Sequence, residues 1–223
     1  MNRLFNPDAP VMQFLSRIAD LVILNLVWLA LCVPVVTIGA ATTALYRVLL
    51  NMAAGTDGAL MKDFFRAFRS NFKPATLTWL ILLVPSALCA VNLWLLLGGA
   101  LGASALMVLV CVLPLALLVF VFAYVFAYIA TFENTIWQTL RNVLLLSIAN
   151  LPRTLLMSIL NLLPVILLLL TPATFLRLSI VWILIGFSLT AYLDAQILWR
   201  IFKKISPELA EGASAGADGA AED

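Results

Sequence analysis

The chain has 223 residues, 64% of them hydrophobic and 11% charged, with a formal net charge of +2. Together with a mean hydropathy of +1.11, this balance excludes an ordinary water-soluble domain and makes lipid the expected solvent. The complete absence of histidine removes the usual general base at neutral pH and the commonest metal ligand.

The three cysteines, Cys32, Cys89 and Cys111, sit singly in apolar runs without C-x-x-C spacing. They are expected to pack as small hydrophobes. No G-x-S-x-G or paired-aspartate motif occurs, so no enzymatic activity, metal or cofactor is expected.

A membrane span needs about 20 apolar residues, and five stretches qualify: Leu21–Ala41, Leu77–Leu97, Ala105–Tyr128, Leu155–Leu170 and Leu178–Leu198. Only helices or closed barrels satisfy the backbone in hydrocarbon, and no alternating pattern suggests a barrel. The expected fold is therefore all-α, a polytopic transmembrane bundle of about five spans occupying residues 1–205.

About twenty residues precede the first run, an arrangement that favours a retained span over a cleaved signal. The small residues Gly39, Ala40 and Ala41 leave cleavage as the alternative. Pro34, Pro85, Pro114 and Pro164 interrupt four spans and Gly186 the fifth. These positions kink helices, as a moving pathway would require or as membrane helices commonly tolerate.

Gly98–Ser104 and Thr171–Arg177 are expected to be tight turns that make hairpins of the second and third and of the fourth and fifth spans. An outside N-terminus and a cytoplasmic C-terminus place Arg47, Lys62, Arg66, Arg69, Lys73, Arg141, Arg153, Arg200, Lys203 and Lys204 on the cytoplasmic side. Only Arg3, Arg17 and Arg177 then stay outside. The break at Pro34–Gly39 leaves one alternative. A re-entrant leg over residues 39–53 moves the N-terminus inside and changes nothing else.

Between the first two spans, LMKDFFRAFRSNFK at residues 60–73 reads as an amphipathic helix. Lys62, Arg66, Arg69 and Lys73 form a cationic stripe beside an apolar face of Met61, Phe64, Phe65, Phe68 and Phe72. Anionic headgroups are the expected partner of that stripe, either as a plain anchor or as a surface where a protein or specific lipid docks.

A second helix is expected from Asn134 towards Asn150, with Trp137, Leu140 and Leu144 on one face. Within the spans, Asn25, Asn92, Asn161 and Asp194 are the candidate intramembrane polar residues, since polar groups at such depth are costly. Asn side chains there join helices or contact a solute. Asp194 is expected within reach of a basic residue such as Arg47 or Arg200. The acidic Ala/Gly/Ser tail from Ser206 to Asp223 is expected to be disordered.

The stretch MNRLFNPDAPVMQFLSRIADLVILNLVWLALCVPVVTIGAATTALY, with FFRAFRSNF and FENTIWQTLRN after it, resembles the YesL family of bacterial integral membrane proteins. The resemblance covers residues 1–205, and PVVTIGAATTALY at 34–46 is its most specific element. It implies a multi-pass protein of the bacterial cell membrane with no established catalytic residues. The family's genes often neighbour carbohydrate uptake and polysaccharide-degradation genes, which implies a non-enzymatic accessory, scaffold or regulatory role in sugar uptake. A sugar-transporter membrane subunit and further copies of the chain are the implied protein partners. Nucleic acid is not one, because the basic residues distribute as topology signals. The competing expectation is a small-solute transporter or channel subunit acting as an oligomer.

Overall fold

A computed structural model describes residues 10–56, 58–98 and 105–208. Among them there is no strand, in keeping with the all-α expectation. The helices are α1 (Pro10–Cys32), α2 (Ile38–Ala54), α3 (Leu60–Ser70), α4 (Phe72–Leu97), α5 (Ala105–Thr131), α6 (Ile136–Ala149), α7 (Leu151–Leu170), α8 (Pro172–Val181) and α9 (Phe187–Ile205). A 3-10 turn at Val35–Thr37 joins α1 to α2, and a π-helical segment at Trp182–Gly186 joins α8 to α9. Residues 99–104 of the expected turn and the tail beyond Glu208 lie outside the described residues. The three cysteines are free and half-buried.

Among the described residues six stretches, rather than five, are long and apolar enough to cross a membrane: Met12–Cys32, Val35–Ala54, Phe72–Leu96, Val108–Thr131, Leu151–Leu170 and Pro172–Ile205. The first expected span is the one that changes. Leu21–Ala41 is not a single helix, because α1 stops at Cys32 and Pro34 takes an extended conformation. A proline cannot continue a helix, and it restricts the residue before it as well. The chain then turns back as α2, which ends at Gly55 in the left-handed conformation (φ 76°), with the Thr56 N–H bonded to the Asn51 carbonyl.

The fourth and fifth spans differ in their connection. Helix α8 begins at Pro172, so Thr171 alone replaces the expected seven-residue turn. Proline suits the first helical position because its missing N–H would have no partner there.

Helix α2 is the centre of the molecule. In its most apolar stretch 61% of residues are buried, against 11–22% in the other five spans. Its small residues explain this. Gly39, Ala40, Ala41, Thr43 and Ala44 are all buried, and small side chains let neighbouring helix backbones approach closely.

Two contacts set the register against α4. A Cβ on Gly39 would fall 2.5 Å from the Ala75 carbonyl oxygen, and the Trp79 indole Nε1 donates to the Val35 carbonyl at 2.9 Å. The α1–α2 turn therefore sits beside the first two turns of α4. From Trp79 to Leu97 the helix contour continues about 27 Å beyond that turn, at about 1.5 Å per residue. The α1–α2 pair is thus a hairpin that returns well before the far end of α4.

A bend in the last span follows from chain length. Asn161 and Asp194 share a hydrogen bond. Ten residues separate Asn161 from Thr171, about 15 Å of helix, whereas 22 separate Pro172 from Asp194, about 33 Å. A straight rod from Pro172 to Asp194 would overshoot Asn161. The π-helical segment is the interruption in the ladder that accommodates the bend. Asn25 supports it: its Nδ2 donates to the Ile183 carbonyl at 2.6 Å and its Oδ1 accepts the Ser188 N–H at 2.8 Å.

Candidate functional site: a polar cleft and a buried carboxylate

The end of α5 and the start of α6 are held by a tyrosine. The Tyr128 hydroxyl accepts from Asn134 Nδ2 at 3.1 Å and Asn142 Nδ2 at 3.0 Å. Its ring stacks on Phe132 with centroids 4.7 Å apart, and Phe132 meets Phe202 of α9 at 5.3 Å. A capping box opens α6, pairing Thr135 with Gln138, which satisfies two otherwise unpartnered N–H groups. These contacts fix the FENT segment opposite α3.

Between them lies a cleft of about 890 Å³. Arg47 and Asn51 of α2, Asp63, Arg66 and Ser70 of α3, Asn71, Thr78 of α4, and Glu133, Asn134 and Gln138 line it. Arg47 donates to the Ala130 carbonyl at 2.8 Å, and Arg66 pairs with Asp63 at 3.4 Å on the rim. With two arginines, two carboxylates and several amides, the cleft can recognise a polar segment or solute by hydrogen bonds and charge. Among the described residues no cluster of three His, Cys, Asp or Glu could hold a metal ion.

Tyr128→Phe removes the acceptor for both amides. It is expected to cost about 1–2 kcal/mol locally, read as faster amide hydrogen exchange over residues 132–142 with α1 and α2 unchanged.

The expected docking helix is α3, but it is packed against α2 as well as amphipathic. Phe64 is fully buried and Ala67 nearly so, Phe68 is half-buried, and Phe65, Lys62, Arg66, Arg69 and Lys73 remain exposed. Phe64 is therefore a core residue and not part of an accessible surface. In α6 the expected face is rotated. Thr139, Val143 and Ser147 turn inward, while Trp137 is 78% exposed.

The four intramembrane polar residues separate into three environments. Asn25 is buried in the bridge to the π-helical segment. Asn92 is exposed and bonds only its own helix, at the Leu88 carbonyl. Asn161 and Asp194 meet: Asn161 Nδ2 donates to Asp194 Oδ2 at 2.6 Å, and the Tyr46 hydroxyl donates to the same oxygen at 3.2 Å. Asp194 is wholly buried. The expected pairing with Arg47 or Arg200 does not occur. Arg47 turns to Ala130, and Arg200 is exposed.

Sequence reasoning missed the cleft and the role of Tyr46. The polar run FENT beside a capping-box pattern is the signal that marks the cleft's far wall. Nothing local marks Tyr46, which lies 148 residues from Asp194.

An all-helical, polytopic membrane protein with a polar cleft at one end of its bundle is the class this geometry defines. Residues 21–93 match a family model described as "Protein of unknown function, DUF624". The matched segment runs from α1 into α4 and so carries the hairpin, Tyr46 and the α3 wall of the cleft. No curated protein and no solved structure matches the chain.

Proposed function

We propose that this chain is a YesL-like, non-enzymatic adaptor of the bacterial cell membrane. Its cleft receives a polar segment of a partner membrane protein on the cytoplasmic side. YesL belongs to the DUF624 family, and the match over residues 21–93 supports that reading. The family resemblance makes a sugar-transporter membrane subunit the class of partner.

The observation that carries the proposal is the cleft itself, about 890 Å³ walled by α3 and the FENT segment, with Arg66, Arg69 and Phe65 exposed beside it. Exposed cations around a polar recess suit a partner segment of opposite charge.

The hairpin break supports a revised orientation. With α1 and α2 paired, the start of α1 lies on the same side as α3, whether the pair crosses fully or re-enters. A cytoplasmic α3 then places both termini inside and leaves Arg177 as the one basic residue on the outer side. That is a stronger positive-inside bias than an outside N-terminus gives.

In-cell crosslinking, mild-detergent purification and mass spectrometry test the adaptor reading. A stoichiometric membrane partner is expected. Reversing charge at Arg66 and Arg69 together (R66E, R69E) is expected to lower its recovery about tenfold, because rim charges govern encounter and register. Recovery of the chain alone, in wild type and variant alike, would refute the adaptor reading. The second reading, a solute-conducting oligomer, is favoured by the buried Asp194 carboxylate, and flux in reconstituted liposomes tests it.

A further inference from the structure

The polar face of α7 has a definite spacing. Thr154, Ser158 and Asn161 recur at i, i+4 and i+7, so they lie along one stripe of the helix. Thr154 and Ser158 are buried. Thr154 Oγ1 lies 2.9 Å from the Tyr124 hydroxyl of α5 and bonds the Ser147 carbonyl at 2.8 Å, so its needs are met.

Ser158 is different. Its hydroxyl is buried and has no hydrogen-bond partner among the described residues. Neither does Asp194 Oδ1, although Oδ2 of the same carboxylate takes both Asn161 and Tyr46. Two orphan oxygens, a carboxylate and a hydroxyl, thus lie on facing helices around one hydrogen-bonded pair. Pro164 adds a third feature: it withholds the N–H that the Leu160 carbonyl would accept in an unbroken helix.

The charge around the carboxylate is uncompensated. Among the described residues no lysine or arginine forms an ion pair with Asp194; of the titratable neighbours only Tyr46 bonds it, and the arginines face elsewhere. Tyr46 of α2 donates to it, Arg47 bonds the Ala130 carbonyl, Tyr124 of α5 pairs with Thr154, and Arg17 of α1 reaches the Tyr192 hydroxyl at 3.2 Å. A buried carboxylate costs several kcal/mol unless a counter-charge or proton joins it.

We propose that Asp194 anchors a binding site for one singly charged cation, a sodium ion or a proton, between α2, α7 and α9. Asp194 Oδ1 and Ser158 Oγ are its first ligands. Hard oxygen donors suit sodium, and a single carboxylate balances one positive charge, whereas calcium sites gather six to eight oxygens with several carboxylates. A proton on Oδ1 achieves the same neutrality and turns that oxygen into a donor for the serine. Asn161, exposed at the bundle surface, stands between the carboxylate and the outside and covers the way in.

The two occupants are told apart by pH. Sodium competes with protons for one carboxylate, so its binding falls as pH is lowered. A bound proton is instead lost as pH is raised.

The test uses the full chain in lipid nanodiscs, with radioactive sodium binding and infrared difference spectra recorded across pH. Saturable sodium binding identifies sodium if it is absent from Asp194→Asn, weakened about tenfold in Ser158→Ala by loss of one ligating oxygen, and diminished at low pH. A protonated-carboxyl band identifies the proton if it persists at about pH 6, where an ordinary aspartate is ionised, is missing from Asp194→Asn and is shifted in Ser158→Ala. An Asp194 that is fully ionised by about pH 6, as an ordinary aspartate is, with no sodium binding, overturns the proposal. If Asp194→Asn does not fold, Ser158→Ala and Asn161→Ala carry the same readouts, and wild-type signals in both would equally overturn it. No partner protein is needed, so failure here is separate from failure of the adaptor reading.

Discussion

Replacing Gly39 by valine is expected to lower stability by about 3 kcal/mol or more, at the upper end of overpacking costs. The obstacle explains the size. The first side-chain carbon would fall 2.5 Å from the Ala75 carbonyl oxygen and 2.6 Å from Trp79 Cβ. Neither atom is the free end of a flexible side chain, so α2 and α4 must separate for any residue larger than glycine to fit.

Separation spreads further. Trp79 also donates to the Val35 carbonyl, and its ring packs on Phe122 and Phe126 of α5 at 5.8 and 6.3 Å. Moving α4 therefore loosens the α1–α2 turn and the α4–α5 contact together. Gly39→Ala is expected to show the same effect in smaller measure. Ala75→Gly is not expected to rescue either variant, because the carbonyl oxygen remains. Chemical unfolding of the protein in nanodiscs measures all three. Wild-type stability in Gly39→Ala would mean that the two backbones do not approach this closely.

Asn25→Leu is expected to cost about 2–4 kcal/mol, the sum of two buried interhelical bonds and the exposed need of their former partners. Leucine matches asparagine in side-chain heavy atoms and branching, so the loss is chiefly of hydrogen bonding. The π-helical segment shifts the ladder locally, and the Asn25 amide supplies a donor to Ile183 and an acceptor to Ser188 there. Ser188 also ties back through its hydroxyl to the Leu21 carbonyl at 2.7 Å. Without Asn25 the bend above α9 loses two of its bonds to α1 and keeps the Ser188–Leu21 bond, so the position of Asp194 loosens.

Asn92→Leu is the matched control. Its side chain bonds only the Leu88 carbonyl of its own helix, so stability is expected within about 0.5 kcal/mol of wild type. Equal losses at Asn25 and Asn92 in the same unfolding assay would show that the bridge to the π-helical segment does not form.

The contrast between these two asparagines shows what a sequence reveals here. Both are single amides in apolar runs, and hydropathy treats them alike. One is buried in a bridge to a helix 158 residues away, and the other faces outward. The same holds for α3. Its cationic stripe is legible from spacing alone, but the insertion of Phe64 into the core depends on α2 folding back alongside it.

Run length, proline placement and helical periodicity depend on neighbours a few residues apart. The sequence by itself therefore determined the all-helical membrane class, the approximate extents of α4, α5, α6 and α7, and the amphipathic nature of α3. Only the packed fold chose the returning leg over a single first span and put α2 at the core, set Arg47 and the FENT segment around one cleft, and brought Asp194 to Asn161 and Tyr46 instead of an arginine. Those outcomes turn on which polar group finds which partner across the bundle. Hydrocarbon surroundings make an unpartnered polar group costly wherever it lies, but they do not select its partner, and only the packing of the helices does.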